Sequence, residues 1–259
     1  MNTRTYNLIL NKIKKDLIKE FANGGKKVPI NQSEPSKRTA CQTGMGAIAS
    51  KAFRECLSPY LKEFQQGYVH SNLDKIFQRM AKEQQLDRKH LDLDVRAQKE
   101  WLNGFQFHKP VDKKRRLEDF DWVCKVPINC PANQDRSRIT CQVPSFVPLD
   151  YLQPPKAVSH FRLVLLTGIL EPVTYFVAEG KLHAQSPENH YPAQVTYSDN
   201  IPLSGKSTFG FDIVQNRKEK LPEEAILAIC IGVEFLEMKD GEVIYVDRSR
   251  SRMKVMAVR

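Results

Sequence analysis

The segment Ser204-Gly205-Lys206-Ser207-Thr208 has the residue types that end a phosphate-binding P-loop. The complete motif requires a glycine five residues before Gly205 and a helix directly after the loop, because the backbone amides and the helix N-terminus together hold the phosphates. Position 200 is asparagine, Pro202 lies inside the segment, and the strand-like run Phe209–Val214 follows. We therefore predict a turn here rather than a nucleotide site.

The histidines, cysteines and carboxylates do not form a recognisable catalytic or metal-binding motif. The chain has no HExxH pair, no CxxC pair and no G-x-S-x-G elbow. The histidines are His70, His90, His108, His160, His183 and His190, and none forms a close His-x-His pair. We therefore predict no catalytic residue, no metal, no cofactor and no small-molecule ligand. An enzyme with an unrecognised site stays open as the last alternative.

The six cysteines, Cys41, Cys56, Cys124, Cys130, Cys141 and Cys230, are scattered along the chain. Disulfide frameworks are typical of short secreted chains. The N-terminal residues lack the unbroken apolar region of a signal peptide, and no apolar run reaches the 18 residues that a membrane helix requires. We therefore expect six free thiols, a cytoplasmic protein and no membrane span.

The formal net charge of +10 is confined to one half of the chain. Residues 1–120 hold 24 Lys and Arg against 14 Asp and Glu, whereas residues 121–259 hold 16 of each. A basic field on one side attracts polyanions or an acidic protein surface. The same lysines are also typical of the solvated faces of amphipathic helices, so the charge alone specifies no partner.

The densest basic run, Lys109 to Arg116 (KPVDKKRR), lies between Trp101, Phe105, Phe107, Phe120 and Trp122. Basic residues between aromatic residues can hold a nucleic-acid backbone and stack on its bases. The candidate polyanion-binding residues are Lys109, Lys113, Lys114, Arg115 and Arg116. The alternative is a core-facing strand followed by a solvated linker, since no zinc-finger, basic-zipper or RNA-recognition motif accompanies the run.

Residues 1–25 are predicted to form an N-terminal amphipathic helix. Its apolar stripe consists of Tyr6, Leu10, Ile13, Leu17 and Phe21, and lysines occupy the other side. Gly24-Gly25 is a natural end for this helix. The stripe is our candidate partner-binding surface, although a helix that packs on its own domain has the same pattern.

The rest of the chain divides into three segments. Residues 26–36 read as a linker, and residues 37–118 as a helical region with an entry strand, in which Pro59 interrupts one helix. Small residues between 44 and 50 would allow a second backbone to approach that helix closely. Residues 119–259 are predicted to be strands separated by proline and glycine turns, with an Asp240-Gly241 hairpin. The strand-like runs are Trp122–Ile128, Arg138–Val143, His160–Leu170, Val173–His183, Val195–Leu203, Thr208–Val214, Ala225–Phe235, Val243–Val246 and Met253–Val258.

These runs follow one another with no helical pattern between them, so the predicted fold class is α+β: N-terminal amphipathic helices followed by an antiparallel β-sandwich. Four segments carry a resemblance: Ala47–Phe64 (AIASKAFRECLSPYLKEF), Glu100–Phe107 (EWLNGFQF), the run from Ala157 to Leu163, and Ala228–Phe235 (AICIGVEF). Together they resemble a broad group of uncharacterised proteins from Bacteroidota-type bacteria. The resemblance implies a short helical region before a β-sandwich and a bacterial cytoplasmic context, and it implies no activity.

From these observations we predict a non-catalytic binding or assembly module. A protein partner or self-assembly is favoured, because the basic charge is dispersed along predicted helices and no base-reading motif accompanies it. The alternative is a nucleic-acid-associated protein that uses the basic N-terminal half.

Overall fold

The computed structural model describes residues 33–64, 69–87, 91, 93–108, 119–178, 181–185, 191–204, 208–218 and 221–259. By its internal contacts the chain divides into two units, residues 1–37 and 38–259. Only residues 33–37 of the first unit are described; there the Lys37 ammonium lies 2.7 Å from the Glu34 carboxylate. The predicted helix over residues 1–25 and the basic run over residues 109–116 lie outside the described residues.

Helices form the N-terminal part of the described chain, as predicted. Helix α1 spans Glu34–Glu55, α2 spans Leu61–Phe64 and α3 spans Val69–Glu83, followed by the 3₁₀ helix η1 over Arg96–Leu102. Pro59 lies in the turn between α1 and α2, which confirms the predicted interruption. Helix α1 begins inside the segment that we read as a linker. Among the described residues, no helix is long and apolar enough to cross a membrane.

The close approach predicted for the small residues of α1 occurs at Gly46. A Cβ atom placed on Gly46 would lie 2.7 Å from the backbone nitrogen and 2.9 Å from the Cα of Gln78 in α3. These distances are shorter than any side chain tolerates, so only glycine allows the two helices to pack this closely.

Nine strands follow in the described part of the chain. They are β1 (Arg138–Phe146), β2 (His160–Leu170), β3 (Thr174–Ala178), β4 (Lys181–Gln185), β5 (Gln194–Tyr197), β6 (Ile201–Pro202), β7 (Phe209–Asn216), β8 (Ile226–Lys239) and β9 (Glu242–Val258). The main sheet has the order β5-β2-β8-β9, and β6 also pairs with β2. Strands β1 and β7 form a separate two-stranded ribbon, and β3 and β4 form a hairpin. All the pairs are antiparallel.

The two central strands of the main sheet are buried on both faces. Every residue of β2 from Leu163 to Leu170, and of β8 from Ile226 to Leu236, is buried. Strands covered on both sides read as continuous apolar runs rather than as alternating ones, which is why LVLLTGIL and ILAICIGVEF contain so few polar residues. The main sheet is therefore the middle of three layers.

The helices cover one face of the main sheet. Phe53, Leu57 and Phe77 belong to the same buried cluster as Val164 and Leu166 of β2. The opposite face packs on the β1–β7 ribbon, where Ile139, Cys141 and Ile213 join Leu163, Leu165 and the odd-numbered residues of β8 in a second cluster. The predicted α+β class, with helices before an antiparallel sheet, is confirmed, and the second layer of the sandwich is the two-stranded ribbon.

The outer edge of β9 is partly covered by the segment after η1. The Gly104 amide donates to the Val255 carbonyl (2.8 Å), the Val255 amide to the Phe105 carbonyl (2.8 Å), and the Phe107 amide to the Met253 carbonyl (3.1 Å). At the other end, β8 and β9 are joined by the predicted Asp240-Gly241 turn, with φ values of 53° and 84°. Positive φ at both central residues is the geometry that favours Asp-Gly in two-residue hairpins.

Several strand boundaries differ from the prediction, and the predicted runs Val243–Val246 and Met253–Val258 are parts of the single strand β9. The run Trp122–Ile128 begins in a helix, α4 (Phe120–Val123), because the Asp119 carboxylate accepts the Trp122 amide at 2.8 Å and caps the first turn. The run Val173–His183 is the β3–β4 hairpin. The run Val195–Leu203 is divided between β5 and β6. Helices inside the strand region are single turns, α4 and α5 (Pro148–Tyr151).

The expectation of six free thiols is wrong, because Cys130 and Cys141 form a disulfide. The segment before β1 turns back along that strand, with bridges Asn129–Gln142 and Ala132–Ile139 on either side of the cysteine pair. This antiparallel alignment places the two sulfur atoms in contact, although the sequence spacing suggests no pairing. Cys41, Cys56, Cys124 and Cys230 are buried and lie outside this disulfide.

Candidate functional site

Strand β5 is an outer strand of the main sheet, and half of its backbone groups point away from that sheet. The Ser198 amide donates to the Leu163 carbonyl at 2.9 Å, so Ser198 faces β2. Backbone direction alternates along a strand, and Thr196 therefore also faces β2, paired with Leu165. The amide and carbonyl of Tyr197, between them, point outwards.

Strand β7 presents a second outer edge. Thr140 and Gln142 of β1 donate their amides to the carbonyls of Pro131 and Asn129, at 3.1 and 2.7 Å, and so face away from β7. In an antiparallel ladder the residues opposite them also face away. Those residues are Val214, which pairs with Thr140, and Asp212, which pairs with Gln142. The amides and carbonyls of Asp212 and Val214 therefore form an edge that no described strand occupies.

The two edges enclose a cleft of about 500 Å³. Residues 196–202 line one wall and residues 208–214 the other. The volume lies within the range of about 300–1,000 Å³ that is typical of ligand sites. Phe209 and Phe211 are half-buried against the core below the ribbon, while Gly210 and Asp212 are exposed. The β7 wall therefore directs apolar side chains toward the sandwich interior and the carboxylate of Asp212 toward solvent.

One end of the cleft is closed by buried side chains. Gln215 Nε2 donates to Thr196 Oγ1 at 3.2 Å and joins β7 to β5, and the Thr167 hydroxyl donates to Gln215 Oε1. Arg217 Nη2 donates to Thr167 Oγ1 at 2.9 Å and to the Thr167 carbonyl at 3.2 Å. Thr167, Gln215 and Arg217 are all at most 5% exposed. A connected buried network fixes the separation of the two strands at this end.

The charge of the described cleft lining is negative. Its charged side chains are Asp199 and Asp212, and both residues are exposed. No described lining residue is lysine or arginine. A cation that enters the cleft therefore meets two carboxylates, and a phosphate group would be repelled by them.

A second polar cluster lies on the helix-covered face of the main sheet. Arg162 Nε of β2 lies 2.7 Å from the Glu234 carboxylate of β8, and its guanidinium stacks over the Tyr197 ring at 4.1 Å. The Glu234 side chain is 2% exposed and that of Arg162 is 22% exposed. Burial raises the pKa of Glu234, which the Arg162 charge partly offsets. The charges of Arg162 and Glu234 are paired with each other, as is typical of a structural ion pair.

The thiols of Cys56 and Cys124 and the imidazole of His108 are held in their neutral forms. Burial raises the pKa of both Cys56 and Cys124 to about 12, so neither is a thiolate at neutral pH. Burial, and next the charge of Arg252, lower the pKa of His108 to about 3. Within the described chain, no group of three or more His, Cys, Asp or Glu side chains is placed to hold a metal ion.

None of the side chains that we predicted as binding residues can be placed in this site. Tyr6, Leu10, Ile13, Leu17 and Phe21 lie outside the described residues, as do Lys109, Lys113, Lys114, Arg115 and Arg116. The P-loop-like segment is described only at its ends, and β7 follows it at Phe209 as a strand, as predicted.

The sequence predicts β7 as a strand but does not predict that it is an outer strand of the ribbon. The available signal was Gly210 and Asp212, since glycine and aspartate are depleted in central strands and are better tolerated at edges.

No family model, no curated protein and no solved structure matches this chain. The resemblance to the Bacteroidota-type group therefore stays a prediction.

Proposed function

We propose that this chain is a non-catalytic binding module that takes up a protein segment in extended conformation along the outer edge of β7. The observation that carries the proposal is the cleft between β5 and β7, in which the backbone groups of Asp212 and Val214 face a space that no described residue fills. An extended segment that enters this space gains main-chain hydrogen bonds as an added strand, while its alternate side chains enter the cleft.

Two further features support a bound strand rather than a small molecule. The cleft runs along β7 from Phe209 to Val214, which matches the length of a short peptide strand. Its closed end is held by hydrogen bonds that join half-buried Thr196 to buried Gln215 and Thr167, so the site is formed before anything binds. A preformed site loses less conformational entropy on binding than a flexible one.

The proposal is tested by panning a random heptapeptide display library on the full chain and measuring the enriched peptides by fluorescence polarisation. We expect Val214→Pro to weaken binding at least tenfold, because proline removes the outward amide without removing a bond to β1. Val214→Ala is the matched control, which shortens the same side chain and keeps the amide. It should change affinity by less than threefold.

Synthetic peptides with N-methyl groups on alternate amides give the same test without a protein variant. Methylation of the set that faces β7 should abolish binding, and methylation of the other set should be tolerated. No enrichment over an unrelated control protein, or equal effects of the two methylated sets, would contradict the proposal.

A nucleic-acid-associated role is the second candidate, because the whole net charge of +10 is carried by residues 1–120. Phosphate contacts would give a steep salt dependence, roughly −0.9 in the logarithmic slope for each contact with duplex DNA. Micromolar duplex binding at 150 mM salt that is lost when Lys113, Lys114, Arg115 and Arg116 become Gln would favour this role. An enzyme with an unrecognised site remains the third.

The cytoplasmic location and the Bacteroidota-type context are also proposals. The Cys130–Cys141 disulfide favours an oxidising compartment over the cytoplasm. The redox state of that pair in the native protein therefore decides between the two locations.

A further inference from the structure

We infer that the segment taken up by the cleft carries lysine or arginine on its outward face, next to Asp212 and Asp199, and apolar residues on its inward face. This inference rests on the proposed function and adds the chemistry of the partner. It follows from the two kinds of surface that line the cleft, which an added strand would meet on its two faces.

The inward face of an added strand would meet apolar side chains. Ile213 of β7 and Ile201 of β6 are buried, and Phe209 and Phe211 are half-buried, all in contact with the cluster between the main sheet and the ribbon. Because side chains of a strand alternate between two faces, every second residue of the ligand would point toward this cluster. Valine, isoleucine or leucine at those positions would bury apolar surface.

The outward face of the same strand would meet carboxylates. Asp212 projects to the solvent side of β7 and Asp199 lies on the opposite wall, and both are exposed. Opposite charges on neighbouring strands stabilise the pair, and like charges destabilise it. A ligand with lysine or arginine at its outward positions therefore pairs with the cleft, whereas one with aspartate or glutamate there is rejected.

The same carboxylates argue against a nucleic acid in this cleft. A phosphate backbone has one negative charge per nucleotide and gains affinity by replacing its counterions with lysine and arginine. The described walls offer Asp199 and Asp212 instead, which favours a protein segment over a nucleic acid in this cleft.

The inference is tested by panning one peptide library on the wild-type chain and on a charge-reversed variant, Asp199→Lys/Asp212→Lys. The wild-type chain should enrich peptides in which lysine or arginine alternates with valine, isoleucine or leucine. The reversed variant should enrich aspartate or glutamate at the same positions. Identical enrichment by the two proteins would overturn the inference.

Affinity measurements on the peptides enriched by the wild-type chain give a second test. Asp199→Asn/Asp212→Asn should weaken their binding about threefold to tenfold, as expected for two exposed ion pairs. Asp150→Asn, at an exposed aspartate on α5 outside the cleft, is the matched control and should leave affinity unchanged. Raising the salt from 50 to 300 mM should weaken binding to the wild-type chain and have little effect on the Asn variant.

The two proposals fail in different ways. If Val214→Pro abolishes binding while the charge variants do not alter peptide choice, the strand-binding function stands and the basic ligand is wrong. If the enriched peptides bind Val214→Pro as tightly as they bind the wild-type chain, the strand-binding function is wrong. Sedimentation of the chain alone tests whether a second copy occupies the cleft. If Asp199→Lys/Asp212→Lys converts a dimer to a monomer, the occupant is a second copy. The inference then holds only for basic segments of this chain itself.

Discussion

Glu234 is a buried carboxylate that forms an ion pair with Arg162. Its pKa is raised by burial and lowered by Arg162, with a net upward shift, while Glu63 raises it and Arg248 lowers it to smaller extents. A carboxyl whose pKa is higher in the folded than in the unfolded state contributes most to stability at low pH. That contribution is lost as the pH rises through the raised pKa.

Removing the positive charge of Arg162 should make the effect of the Glu234 pKa on stability measurable. We predict that Arg162→Met lowers the free energy of unfolding by about 3 kcal/mol at pH 7.5, near the lower end for broken buried pairs because the Arg162 side chain is 22% exposed. The loss should be smaller at pH 4.5, where Glu234 can take up a proton. Urea unfolding at the two pH values measures both. In a Glu234→Gln background, Arg162→Met should lower the free energy of unfolding by less, and that loss should not depend on pH. Equal losses at both pH values in the wild-type background would contradict the argument.

At the scale of elements, the segment before β1 shows how pairing along the chain decides cysteine chemistry. The bridges Asn129–Gln142 and Ala132–Ile139 align this segment with β1, and the disulfide Cys130–Cys141 lies between them. Spacing within a sequence says little about such a pair, since the sulfur atoms meet only when the two segments run antiparallel.

We predict that Cys130→Ala/Cys141→Ala lowers the free energy of unfolding by about 3 kcal/mol, as expected for a closed loop of this length. Cys124→Ala, at a buried free cysteine, is the control and should cost no more than about 1 kcal/mol, because it removes only a small group. Alkylation of the denatured native protein without reductant should modify four cysteines. Modification of all six would show that the pair is reduced and would support the cytoplasmic location.

At the scale of the whole described sheet, the helices and the ribbon bury opposite faces of the same strands. Leu165 contacts the ribbon-side cluster and its neighbour Leu166 contacts the helix-side cluster, and both are fully buried. In a sandwich of two sheets, one of these neighbours would face solvent. The helices therefore bury one face of the main sheet in the same way that the ribbon buries the other.

This arrangement predicts that Leu165→Ala and Leu166→Ala are comparably destabilising, each by about 2–5 kcal/mol. Ile244→Ala, at a position 55% exposed near the β8–β9 turn, should change stability by about 0.5 kcal/mol or less. Chemical denaturation of the three variants compares them directly. If Leu166→Ala lowered the free energy of unfolding by as little as Ile244→Ala, the helices would not bury this face of the sheet.

The sequence by itself determined the local features, since these depend on neighbouring residues. The apolar run His160–Leu170 predicts β2 to its exact ends, Asp240-Gly241 predicts the hairpin turn, and Pro59 predicts the break between α1 and α2. The helical interruption and the turn are consequences of backbone geometry at one or two residues. The order of helices before strands, and with it the α+β class, follows from the change of hydrophobic period along the chain.

Only the tertiary structure decided which strands are neighbours and which edges remain open. Strand β2 pairs with β8, whose residues lie some sixty positions further along the chain, and no local pattern encodes that choice. The outer positions of β5 and β7, the alignment of Cys130 with Cys141, and the burial of Glu234 against Arg162 all follow from such distant pairings. The physical reason is that strand pairing uses backbone groups common to all residues, so the packing of the whole sheet selects the partners.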